Sequence, residues 1–244
     1  MRLLLLAGTS EAVQVGHALA RDSRVRTVAS LPYPTREPGI LKVPQRIGGW
    51  QDAVALESWV RETGVGAVLD MSHPFSTKIT GQCAEICDRL GIPFVQFMRS
   101  SLVPGRGDNW VFLNSEKDVA ERAPDKAAIF LATGRHRLPD FVGLGDRPIY
   151  VRVRELLHDR FPFPNGRYVH RPTRPSVSTE VEGLKSFDVS WIVARNTGGA
   201  WTQPTLDAAR VLGIQVGMIR RPRQPEVPRV HSIAEALGWV RRQL

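Results

Sequence analysis

Short apolar runs alternate with amphipathic stretches along this chain, and that rhythm restricts the fold more than any single motif. Leu3–Ala7, Val25–Ser30, Ala67–Met71 and Pro93–Gln96 are strand-length runs, and Glu11–Ala20, Asp52–Glu62 and Phe75–Leu90 between them carry helical patterns. Strands separated by helix-length segments are the pattern of a parallel sheet with crossover helices. The Pro- and Gly-rich stretch from Leu31 to Val43 reads as a loop. The second part continues less regularly, with strands expected at Trp110–Leu113, Ala128–Ala132, Ile149–Arg154, Trp191–Ala194 and Gln215–Ile219. Helices are expected at Ser115–Arg122, Ser178–Ser186, Pro204–Leu212 and Ser232–Leu244, and the piece from Phe161 to Pro175, with four prolines, reads as an ordered loop. The pattern predicts an α/β chain of two Rossmann-like domains, residues 1–98 and 99–244, with mainly parallel sheets and a ligand cleft between them.

With 244 residues and 42% apolar content, the chain can bury two modest cores. The four leucines at Leu3–Leu6 are too short for the apolar region of a leader peptide, and no run reaches bilayer length. The expectation is a cytoplasmic protein with no membrane partner. Cys83 and Cys87 stand one helical turn apart without nearby Cys or His partners, so they read as buried thiols of a reducing compartment, and no metal is expected. Residues 1–100 carry 11 Lys and Arg against 9 Asp and Glu, whereas residues 101–244 carry 22 against 15. The second part therefore calls for an anionic partner, and 28 arginines among the 33 basic residues suit bidentate recognition of carboxylate or phosphate. A GC-rich coding sequence accounts equally well for the arginine total. Nucleic acid is disfavoured, because the arginines are scattered without a basic run or an aromatic stacking platform.

In doubly wound sheets, ligands bind where strands end and the following helices begin with unpaired N–H groups. Gly8-Thr9-Ser10-Glu11 follows the first strand: the glycine permits a tight turn, and the hydroxyls can cap the helix or meet a phosphate oxygen. A G-x-G-x-x-G pattern is absent. After the second strand, Ser30 stands where an NAD site would place a carboxylate, and Arg36 follows; a 2′-phosphate is accommodated there and a free ribose diol poorly gripped. Asp70, Ser72, His73 and Pro74 follow the strand at Ala67 as polar groups and a helix-starting proline at the sheet's carboxyl edge, suited to one wall of a nucleotide site. Thr133-Gly134-Arg135 and Arg195-Asn196-Thr197-Gly198-Gly199 each combine a hydroxyl, a glycine and an arginine at a strand end, suited to an anionic group. In Val151-Arg152-Val153-Arg154 both arginines fall on one face, a candidate substrate wall in a segment that also holds Arg147, Arg160, Arg167, Arg171 and Arg174. The ordinary alternative there is surface pairing with Glu155 or Asp159.

The ordered set "GTSE" (Gly8–Glu11) after the first strand, "DMSHPFS" (Asp70–Ser76), "ATGR" (Ala132–Arg135), "VRVR" (Val151–Arg154), "NTGG" (Asn196–Gly199) and "IRRP" (Ile219–Pro222) resembles the precorrin-6A reductase (CobK/CbiJ) family of cobalamin biosynthesis over nearly the whole chain. The loosest match is "NTGG", where many members carry serine in place of Thr197. The resemblance implies NADPH-dependent reduction of one double bond of the tetrapyrrole precorrin-6A to give precorrin-6B. The cofactor would be held by Gly8, Thr9, Ser10, Glu11, Ser30, Arg36, Ser72, His73, Pro74, Thr133, Gly134 and Arg135. The substrate's carboxylates would be met by Arg152, Arg154, Arg195, Asn196, Thr197, Gly198 and Gly199. It also implies hand-over of the intermediate between neighbouring pathway enzymes, and if a side chain supplies the proton, His73 and Asp70 are the candidates. Two other readings compete: a different NADP-dependent two-domain reductase of a small polycarboxylate, and a non-enzymatic NADP-binding sensor.

Overall fold

The structure, a computed structural model, describes residues 1–34, 40–154, 157–171 and 174–244. The chain runs β1 (Arg2–Ala7), α1 (Ser10–Leu19), β2 (Arg26–Leu31), β3 (Gln45–Ile47), α2 (Ala53–Thr63), β4 (Ala67–Met71), α3 (Thr77–Leu90) and β5 (Phe94–Phe97). It continues through β6 (Trp110–Leu113), α4 (Val119–Arg122), β7 (Ile129–Leu131), β8 (Ile149–Val153), β9 (Gly166–His170), α5 (Val177–Ser186), β10 (Trp191–Arg195), α6 (Gln203–Leu212) and β11 (Gln215–Ile219). The last elements are β12 (Arg229–Val230) and α7 (Ile233–Arg241).

Among the described residues these strands form two six-stranded sheets, ordered β12-β5-β4-β1-β2-β3 and β6-β11-β10-β7-β8-β9, with every recorded pairing parallel. Covered on both faces, such strands are apolar along their length rather than alternating. In β1, Leu3 and Leu5 pack into the cluster with α1 and α7, and Leu4 and Leu6 into the cluster with α2 and α3. The second sheet repeats this at β10, where Trp191, Ile192, Val193 and Ala194 are all buried. Thr9 caps α1 by accepting from the Ala12 N–H, and Asp52 caps α2 by accepting from the Ala55 N–H. These side chains satisfy donors that the first turn leaves without helical partners.

The expected domain boundary at 98/99 requires correction at its far end. The first compact unit is Met1–Ser100 together with Pro222–Leu244, and the second is Ser101–Arg221. The return has a physical cause. β12 pairs with the edge strand β5 through Arg229 and Val230, and Ala236 and Val240 of α7 are buried in the cluster built on β1. Hydrogen bonding and apolar burial both hold the segment in the first unit.

Three local expectations also change. The Phe161–Pro175 loop contains β9, which adds to the open edge of β8 from Ile149 to Val153. The Pro- and Gly-rich region after β2 is followed directly by the short edge strand β3, paired to β2. The expected helix at Ser115–Arg122 begins as a 3-10 turn, Glu116–Asp118, whose capping box joins Ser115 and Asp118, before continuing as α4.

Candidate functional site

In each sheet the chain first winds one way and then crosses to the other side, leaving a crevice where the direction changes. In the first unit this point lies between β1 and β4, and Gly8 stands beside it. A Cβ on Gly8 would lie 2.7 Å from the His73 backbone nitrogen and 3.1 Å from Ser72 Cα. The missing side chain thus lets the loop before α1 touch the loop after β4. Thr9 Oγ1 donates to the Met71 carbonyl at 3.1 Å, joining the same two loops. Gly8, Thr9, Ser10, Ser72, His73 and Pro74 are therefore brought together, with the first turn of α1 opening onto them.

Asp70 secures this loop from below. It is fully buried; one carboxylate oxygen accepts from the Ser72 N–H at 2.9 Å and the other from Thr80 Oγ1 at 2.6 Å. Burial pushes its pKa up against those hydrogen bonds. Asp70 thus positions the loop, its carboxyl enclosed and engaged by Ser72 and Thr80 rather than facing the edge where a proton donor would act. His73 remains at the edge, where its Nδ1 accepts from the Phe75 N–H at 3.3 Å, placing the neutral ring's proton on Nε2.

Glu11 lies in the first turn of α1, where Ser10 Oγ donates to it at 3.0 Å and Arg99 donates at 2.8 Å. Burial disfavours the Glu11 charge, but the hydrogen bond and charge of Arg99 outweigh it and hold the carboxyl below its ordinary range. Arg99 was not legible as a site residue, because the only sequence signal is a cation just past β5. Ser30 is buried at the end of β2. Arg36 lies outside the described residues.

The second unit's crossing point lies between β7 and β10, which are paired through Ile129–Leu131 and Trp191–Val193. The loops at Thr133–Arg135 and Arg195–Gly199 therefore begin on neighbouring strands. Thr133 Oγ1 is buried with no hydrogen-bond partner among the described residues, and Gly134 has a φ of 83°, which favours glycine. Arg135 lies 3.9 Å from Asp159. Arg154 stacks over Trp201, with its guanidinium carbon 3.8 Å from the ring centroid, and Trp201 is 39% exposed.

Three expected substrate contacts have other duties. Arg152 donates to Thr205 Oγ1 at 2.9 Å and to Glu180 at 3.4 Å beneath α5 and α6, so it is a core cation and not a wall. Asn196 is buried, and its amide both donates to and accepts from the Leu102 backbone, each at 2.8 Å. Arg195 Nε donates to Glu116 at 2.8 Å. Burial opposes ionisation of Glu116, yet the Arg195 hydrogen bond and charge prevail and lower its pKa. Glu116 was missed because its acidic signal belongs to an ordinary capped turn. Thr197, Gly198 and Gly199 continue the loop, and the Arg221 Nε donates to the Asn196 carbonyl at 2.7 Å.

A carboxyl whose folded pKa is lowered supplies stability above its ordinary value, near 4.5 for Glu116, that disappears as pH falls through the folded value. Glu116→Gln is therefore expected to flatten the acid limb of the stability curve. Urea midpoints between about pH 7 and pH 3 test this; identical pH dependence in parent and variant would contradict it.

A family model described as precorrin-6x reductase CbiJ/CobK matches residues 2–241. A precorrin-6A reductase of Rhodococcus erythropolis is 35% identical, with 98% of this chain and 97% of the relative covered. One from Mycobacterium tuberculosis is 33% identical over 98% of this chain and 97% of the relative. A solved structure named CobK precorrin-6A reductase superposes with a TM-score of 0.88 at 29% identity, covering 100% of this chain and 97% of that one. With its ordered strand-end motifs set in two parallel sheets, this chain belongs to the CbiJ/CobK family of precorrin-6x reductases and is an oxidoreductase.

Proposed function

We propose that this enzyme uses NADPH to reduce one carbon–carbon double bond of precorrin-6A, giving precorrin-6B in cobalamin biosynthesis. The observation that carries the cofactor reading is the close approach at Gly8, which sets the amino end of α1 beside Ser72 and His73. A ten-residue helix beginning at a sheet crossing point suits a pyrophosphate. Ser30 puts no carboxylate at the end of β2 to repel a 2′-phosphate. The names of the relatives support the tetrapyrrole reading, and the cations Arg135 and Arg154 at strand ends suit its carboxylates.

When bound, the nicotinamide supplies the hydride. The chain's contribution is placement: Gly8, Thr9 and Ser10 receive the phosphates, while Ser72, His73 and Pro74 form the neighbouring wall. Arg135, with Thr133 and Gly134, offers a second anion-binding turn, and Arg154 with Trp201 offers a cation on an aromatic support. Holding reacting atoms within about 3–3.5 Å supplies much of the rate enhancement in such transfers. His73 is the side chain available at the first edge for moving a proton at Nε2. Among the described residues no helix is long and apolar enough to cross a membrane, and Cys83 and Cys87 are buried free thiols. We place the reaction in the cytoplasm, with the intermediate received from and passed to neighbouring pathway enzymes.

Parallel titrations with NADPH and NADH, followed by turnover of precorrin-6A with NADPH consumption, test this reading. Preferential NADPH binding and stoichiometric reduction are expected. Cofactor binding without precorrin-6A turnover would favour a reductase of a smaller polycarboxylate instead, and equal affinity for both nucleotides would contradict the Ser30 argument.

A further inference from the structure

An NADPH site needs a cation for the 2′-phosphate, and Arg36 was the residue expected to supply it. The described structure puts another arginine at the right strand end. Arg46 lies on β3 in register with Ser30, so the two backbones are one strand spacing apart, about 4.8 Å. The ladder continues past β3, with the Gly48 N–H donating to the Leu31 carbonyl at 2.9 Å. The carboxyl ends of β2 and β3 therefore form one continuous rim.

Arg46 is held there in a defined orientation. Its guanidinium lies over the Trp50 ring, 3.4 Å from the centroid, and Trp50 packs edge-on against Trp59 of α2 at 5.4 Å. Arg46 NH1 donates to the Gly48 carbonyl at 2.6 Å and NH2 to the Gly49 carbonyl at 3.2 Å. Gly48 has a φ of 111°, a conformation that lets its carbonyl curl back toward the arginine. These bonds use part of a five-donor fork and leave further N–H groups for a ligand. Neutral carbonyls and an aromatic face do not cancel the charge, and among the described residues no carboxylate pairs with Arg46. Partial burial lowers its pKa, as expected for a cation lacking a counter-anion. Other arginines of this unit differ: Arg99 is tied to Glu11, and Arg61 and Arg89 to Glu57.

We propose that Arg46, braced on Trp50, binds the 2′-phosphate of NADPH and is the residue that selects NADPH over NADH. This rests on the NADPH reading above and deepens it by naming the specificity determinant. A planar fork with its orientation already fixed loses little freedom on meeting a phosphate, which is why arginine is effective in this role. A phosphate would replace the missing counter-charge.

The test compares the parent, Arg46→Gln and Arg46→Lys in calorimetric titrations with NADPH, NADH and 2′,5′-ADP, with circular dichroism checking that each variant is folded. Arg46→Gln should weaken NADPH and 2′,5′-ADP binding by roughly 10- to 100-fold while leaving NADH within about twofold. Arg46→Lys keeps the charge without the fork, and should recover part of the loss. It also serves as the test should the glutamine variant fail to fold. If the parent prefers NADPH and neither variant changes that preference, the Arg46 assignment is overturned while the cofactor reading stands. Equal losses for NADPH and NADH would also overturn it, since they would make Arg46 a general support of the rim. A parent that binds no nicotinamide nucleotide would overturn both.

Discussion

Gly8→Val is expected to weaken cofactor binding on the order of 100-fold. The new Cβ would fall 2.7 Å from the His73 nitrogen and 3.1–3.2 Å from Ser72 Cα and carbonyl carbon. All three are backbone atoms, so no flexible side chain can swing away. The loop before α1 and the loop after β4 would have to separate, and the Thr9–Met71 bond between them would be strained. Displacement by about 1 Å at a positioned site costs on the order of 100-fold, and overpacking adds about 1–3 kcal/mol of destabilisation. Fluorescence titration with NADPH and a urea melt separate the two effects. Unchanged affinity in a folded variant would mean that the close approach at Gly8 is not part of the cofactor site.

Arg152→Ala is the substitution with the largest expected cost to the second unit. The Glu180 and Arg152 side chains are 3% and 16% exposed, and Thr205 bridges them by donating to Glu180 at 2.8 Å while accepting from Arg152 at 2.9 Å. Truncating the arginine leaves the Glu180 carboxyl deep between α5, α6 and the sheet, with the Thr205 hydroxyl as its remaining hydrogen-bond partner among the described residues. Removing one partner of a buried pair costs about 3–5 kcal/mol, whereas replacing both by apolar groups of similar volume is often near neutral. The double variant Arg152→Met, Glu180→Leu should therefore recover most of the loss. If equilibrium urea unfolding places the single and double variants at the same reduced stability, packing rather than stranded charge is the cause.

These two sites show what was legible beforehand. Gly8 could be read as a strand-end glycine from "LLLLAGTSE", because a buried strand is apolar throughout and its end is marked by the first polar residues. Pairing alone determines that its neighbour is β4, so the contact with Ser72 and His73 needed the structure. The alternation in "VRVR" correctly put Arg152 on the face opposite Val151 and Val153. Periodicity names a face without saying what covers it, and α5 and α6, which follow much later, cover this one. Asn196 shows a similar limit: the backbone partner of its amide, Leu102, lies 94 residues away. Short edge strands such as β3 and β9 escaped because few of their residues are buried, leaving little apolar pattern to detect.

The return of residues 222–244 to the first unit bears on how the protein is made. A ribosome delivers residues 1–100 first, but the sheet they form then lacks its β12 edge, and the cluster around Leu3 and Leu5 lacks Ala236 and Val240 of α7. The second unit, Ser101–Arg221, is finished before those pieces emerge. At about 5–20 residues per second the wait is on the order of ten seconds. During synthesis the unit begun first is thus the one completed last, and the inserted unit has the opportunity to fold ahead of its host.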